Sequence, residues 1–239
     1  MAGMLRQLIS AWRGRDLLSE MLTEFQHMLQ DGEWMFRTAG AVLLREEKPD
    51  VVHDEFFARD KEINRQETDI RRRIVEHLSL RRDADVPACL VLMSVVKDAE
   101  RIGDFCKNVY EVACLYTMNF DHGPYITPLK ELRAEIESLF SKCRVAFAEA
   151  DQEVAGEIIA ETKGITKHCD EMIAQLINDQ LPTQKAVAYA LLSRYFKRVA
   201  SHLRNIATSV TGPVHQIDHT PPSGGGVRKT YGKGESQDG

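Results

Sequence analysis

Between Leu92 and Tyr116 apolar side chains recur at alternating intervals of three and four: Leu92, Val95, Ala99, Ile102, Cys106, Val109, Ala113 and Tyr116. This alternation holds one stripe of a helix apolar over more than three heptads, which the period-two pattern of a strand cannot do. A seam that long must be buried against other helices, so the chain has to form a helical bundle. Asp83-Ala84-Asp85 followed by Pro87 predicts where this helix starts, with Asp85 as N-cap. Asp121, Gly123 and Pro124 break the chain after it.

Five further segments carry the same helical spacing. Leu18, Met21, Phe25, Met28, Gly32, Met35, Ala39 and Val42 mark a first helix, expected to run to about Glu47 where Pro49 stops it. A more polar second one covers about Val52 to Leu80, with Phe56, Ile63, Ile70, Ile74 and Leu78 on its apolar face. After the central break the plan repeats. Leu129 to Cys143 marks a fourth helix, Val154 to Leu176 a fifth, and Leu192 to Val210 a sixth that begins just after Pro182 and Thr183. No segment reads as a strand. The expected fold is therefore all-α: six long helices in two tandem three-helix repeats, residues 1–119 and 120–211, with short connections that favour antiparallel neighbours. Residues 212–239 hold seven glycines and three prolines and almost no large apolar side chains, which predicts a disordered tail.

Charge and cysteine usage narrow the function classes. A net charge of −5 spread over both halves argues against nucleic acid as a partner. No apolar run is long enough to cross a bilayer, and the amphipathic start (Leu5, Leu8, Ile9, Trp12 flanked by Arg6, Arg13 and Arg15) lacks the apolar core of a signal peptide. That start is expected to pack on protein rather than lie on a membrane surface. Cys89, Cys106, Cys114, Cys143 and Cys169 are odd in number, contain no C-x-x-C, and fall on apolar positions, as free thiols in a reducing cytoplasm do.

The third helix contains Asp98-Ala99-Glu100-Arg101-Ile102-Gly103-Asp104-Phe105-Cys106-Lys107-Asn108, and the second contains Asp60-Lys61-Glu62-Ile63-Asn64. On adjacent helices of a three-helix unit, these stretches resemble the signatures of the PhoU family of phosphate-uptake regulators, E-R-I-G-D being the more specific. The resemblance runs from about Leu17 to Val210. The second half departs from it: Lys197-Arg198-Val199-Ala200-Ser201 stands at the E-R-I-G-D place, and Thr162-Lys163-Gly164-Ile165-Thr166 at the D-K-x-V-[DN] place, although Arg198 and Asn205 still align with Arg101 and Asn108.

Glu100, Asp104 and Asn108 stand at i, i+4 and i+8, and Asp60, Asn64 and Glu67 form a comparable stripe on the second helix. Carboxylates gathered across one groove repel unless a cation stands between them. The resemblance implies metal at the E-x-x-x-D motif, hence magnesium, manganese or iron held by Asp60, Asn64, Glu100 and Asp104, in the first repeat only. The alternative is a solvated face neutralised by Lys97, Arg101 and Lys107. Three other features point less far. Glu24-Phe25-Gln26-His27 is a single E-x-x-H where di-iron chemistry needs two. His215 and His219 sit in the tail, and Arg71-Arg72-Arg73 with Arg81-Arg82 reads as a solvated basic face.

No nucleophile–base pair or glycine-rich phosphate loop is visible, so the expectation is not an enzyme. The resemblance implies a cytoplasmic regulator that binds a membrane phosphate transporter, and a sensor histidine kinase as a second partner. Helical repeats of this size are expected to form a homodimer. The competing classes are a metal-dependent hydrolase or metal-storage protein, and a metal-free helical scaffold.

Overall fold

The structure is a computed structural model that describes residues 16–80, 86–118, 120, 123–212 and 217. Six helices account for nearly all of them: α1 (Asp16–Leu43), α2 (Pro49–Leu80), α3 (Val86–Leu115), α4 (Ile126–Glu149), α5 (Gln152–Asn178) and α6 (Thr183–Thr211). The described residues contain no strand, and no helix is long and apolar enough to cross a membrane. The N-terminal amphipathic stretch, the Asp85 cap, Arg81-Arg82, His215 and His219 lie outside the described residues.

Each half packs its three helices on one another, α1 on α2 and α3, and α4 on α5 and α6. The halves meet through α3 against α6 and α1 against α4, so these four helices form the centre and α2 and α5 lie to the sides. The seam read from the sequence is the buried face of α3 as far as Ala113, with Leu92, Val95, Ala99, Ile102, Cys106, Val109 and Ala113 all buried, while Tyr116 falls just past the helix end and is partly exposed. Phe36 of α1 joins the halves, its ring 5.7 Å from that of Phe140 on α4 and 5.2 Å from that of Phe196 on α6. Beyond α3 the chain folds over the start of α6, where the rings of Tyr116, Phe120 and Tyr189 follow one another at 4.5 and 5.0 Å.

Two corners differ from the expectation. α1 ends at Leu43, short of Glu47, because Arg45 takes a left-handed backbone (φ 60°) and closes the helix. The Arg45 N–H donates to Val42 O and the Glu46 N–H to Ala41 O, the bonding pattern of a Schellman end that usually has glycine at this place. The Arg45 guanidinium then reaches α3 and donates to the carbonyls of Ala113 and Tyr116, a cation at a helix C-terminus where the dipole favours one. α2 starts directly at Pro49, whose missing N–H is no loss in a first turn. At the other corner Ala150 is left-handed (φ 51°), and Asp151 N-caps α5 by accepting the N–H groups of Glu153 and Val154 at 2.9 and 3.1 Å.

All five cysteines are free, and Cys89, Cys106, Cys143 and Cys169 are buried as small apolar side chains. Cys114 corrects the sequence reading. It is exposed, because it lies one position off the seam residue Ala113 in the last turn of α3.

Candidate functional site

The groove between α2 and α3 gathers the acidic residues singled out by spacing. The helices run antiparallel there and approach closely at Gly103, where an added Cβ would stand 3.3 Å from Ile63 Cδ1. That register sets Lys107 and Asp104 opposite Asp60, and Glu100 opposite Glu67. The Lys107 ammonium donates to both Asp60 carboxylate oxygens at 3.2 Å and to Asp104 Oδ1 at 3.3 Å. Asp60 itself is only 8 % exposed. Arg101 stands 3.4 Å from Asp104 and 3.5 Å from Glu100, and Arg71 pairs with Glu67 at 3.1 Å. Asn64, by contrast, is exposed, and Glu67 occupies the α2 position facing Glu100.

Burial pushes the Glu100 carboxyl up to about 7, Asp104 and Glu67 add to the rise, and Arg101 opposes it. Burial works against the charge on Lys107, yet Asp60 and Asp104 outweigh it and hold the ammonium above its ordinary value. Because the folded chain holds the Glu100 proton more tightly than the unfolded chain, stability should fall as pH rises from the usual glutamate range through about 7. Glu100→Gln should therefore gain on the order of 1 kcal/mol at pH 8, after allowance for solvent screening, and nothing at pH 4. Urea unfolding at both pH values, with chelator present, reads this directly; an equal effect at both would remove the electrostatic cause.

As a metal site the arrangement fits poorly. Among the described residues, no group of three or more His, Cys, Asp or Glu side chains is drawn together tightly enough to hold an ion. The position between Asp60 and Asp104 is filled by the Lys107 ammonium. In the second half hydroxyls stand where the first has Asp60 and Asp104: Thr162 is buried and donates to Ile158 O at 2.7 Å, and Ser201 donates to Lys197 O at 2.7 Å. Lys197, at the place of Glu100, pairs with Asp170 at 2.6 and 2.5 Å.

Two other stretches singled out by the sequence, at Glu24 and at Arg71–Arg73, resolve as ion pairs. Glu24, of the E-x-x-H stretch, pairs with Arg73 at 2.8 Å, and Arg71, Arg72 and Arg73 all meet carboxylates on or across α2. A cavity of about 460 Å³ between α4 and α5 is lined by Glu135, Ser138, Lys142, Glu161, Gly164, Ile165 and His168. Lys142 is held there by Glu157 and Glu161 at 2.9 and 2.5 Å.

Two clasps between the halves join residues more than a hundred positions apart in the sequence. Asp98 on α3 is fully buried, and its Oδ1 meets His202 Nδ1 at 2.6 Å and accepts from Asn205 Nδ2 at 3.2 Å, both on α6. Glu33 on α1 accepts from Arg144 at 2.8 Å and Ser141 at 3.4 Å on α4, with Arg37 alongside at 3.0 Å. The helical period puts Asp98 on the seam side of α3, between Val95 and Ile102, but which side chains meet it depends on where the second half docks.

Fold and groove together define a tandem three-helix repeat protein whose conspicuous polar feature is a lysine-bridged acidic groove in its first half. The family model of the PhoU domain matches residues 18–113 and 129–210, and the chain belongs to that family. It is 25 % identical over 158 residues to the phosphate-specific transport system accessory protein PhoU homolog of Synechocystis, covering 64 % of this chain and 70 % of that one. It is 22 % identical over 153 residues to the phosphate-specific transport system accessory protein PhoU of Serratia marcescens, covering 62 % of this chain and 63 % of that one. The crystal structure of PhoU from Pseudomonas aeruginosa superposes with a TM-score of 0.73 at 20 % identity, over 82 % of this chain and 95 % of that one. PhoU from Streptococcus pneumoniae gives 0.66 at 20 % identity, over 81 % and 92 %.

Proposed function

We propose that this chain is a cytoplasmic regulator of phosphate uptake, which binds a membrane phosphate transporter and restrains it when phosphate is plentiful. A sensor histidine kinase is the second partner in this reading, the working form is a homodimer, and the chain acts by recognition rather than turnover. The observation that supports it most is the PhoU match across both halves, taken with relatives named as accessory to phosphate-specific transport. Six helices about 24 to 32 residues long give long side faces on α2 and α5, the kind of surface an adaptor uses.

The test is retention of the detergent-solubilised phosphate transporter of the same cells on the immobilised chain. The transporter should be held and should elute with soluble chain as competitor. A transporter that passes straight through, together with hydrolysis of phosphate esters by the purified chain, would favour an enzyme instead.

A further inference from the structure

The acidic groove of the first half is where the family resemblance places a metal, yet its charges are already arranged around an ammonium. We propose that Lys107 is the resident cation of this groove and keeps divalent ions out of it in the native chain. The geometry supports this at three points. Lys107 Nζ bridges the two helices, touching both oxygens of Asp60 on α2 and Oδ1 of Asp104 on α3, all within 3.3 Å. Asp60 is buried, so the oxygens a metal would use are committed to that contact and shielded from water. A divalent ion placed beside them would stand within a few ångströms of a fixed positive charge, and like charges at that range repel strongly in a part-buried setting. The tethered ammonium also forfeits no translational freedom on binding, and it has three donors to share among the carboxylates, whereas magnesium sheds its water shell reluctantly.

The second half carries an independent form of the same device. There the place of Glu100 is taken by Lys197, whose ammonium crosses from α6 to Asp170 on α5 at 2.6 and 2.5 Å. Both grooves thus carry a lysine on the inner helix paired with an aspartate on the outer one, although the two lysines stand at different motif positions and Asp170, unlike Asp60, is exposed. A metal entering either groove has to displace an ammonium first.

Manganese binding by the full, chelator-stripped chain tests the proposal, followed by titration calorimetry and by the thermal midpoint with and without manganese. Lys107→Met keeps the length of the stem and removes the charge. It should bind manganese at least about tenfold more tightly than the wild type, and manganese should raise the midpoint of the variant but not of the wild type. Adding Glu100→Ala and Asp104→Ala to the variant should remove the gain, and Lys107→Arg, which keeps the charge, should behave as the wild type. Lys107→Gln serves as the neutral variant if the methionine form does not fold. Equal affinity in wild type and neutral variant, whether both bind or neither does, would overturn the proposal.

Discussion

Phe36→Ala should lower the unfolding free energy by about 3–5 kcal/mol, enough to consume a large part of the stability of a chain this size. Phe36 is 1 % exposed and stands where α1, α4 and α6 converge, with the rings of Phe140 and Phe196 at 5.7 and 5.2 Å. Truncation loses the transfer free energy of the ring and leaves a cavity whose walls belong to three long helices. Such helices cannot collapse into the gap without shifting their whole packing, so the cavity contribution stays near its upper range. The loss also falls on the contact between the halves rather than within one of them. Urea unfolding followed by circular dichroism should show a single transition moved to lower urea. A loss below about 1 kcal/mol would mean that the halves do not share one core.

Asp98→Ala should cost about 2–3 kcal/mol, since it removes a fully buried acceptor that serves two partly buried partners, His202 and Asn205, at once. The Asp98 carboxylate is fully buried and serves both His202 and Asn205 across the α3–α6 contact. Among the described residues its other oxygen has no hydrogen-bond partner, though the Lys97 ammonium stands 4.0 Å away. Asp98→Asn keeps the shape and one acceptor, and should cost less than the alanine. His202→Ala on top of Asp98→Ala should add little, because the interaction is already gone; a double-mutant cycle by urea unfolding measures that coupling. Additive losses would show that the clasp is incidental to how the halves join.

The helical seams were legible because burial on one face imposes a period that tertiary context does not alter. Leu92 to Ala113 is the clearest example, and Pro182 and Thr183 mark the start of α6 as the spacing predicts. The helix ends were less so. Arg45 and Ala150 hold left-handed positions that glycine ordinarily marks, and what stabilises Arg45 there includes a contact to α3 carbonyls 68 and 71 residues away. The acidic stripe of Glu100 and Asp104 was visible, yet its partners follow from register. Gly103 against Ile63 brings Lys107 to Asp60 and Glu67 to Glu100, and leaves Asn64 in solvent. The inter-half clasps were hidden for a related reason: spacing sets Asp98 on the seam side of α3, at i+3 from Val95 and i−4 from Ile102, but its partners on α6 follow from how the halves dock.

Uptake of labelled inorganic phosphate is the most direct measure of the proposed role. Cells that lack this chain, grown in ample phosphate, should continue to take phosphate up at a high rate, and restoring the chain should bring that rate down. The restraint should vanish when phosphate is scarce. Uptake that is the same with and without the chain in ample phosphate would contradict a role in regulating phosphate transport.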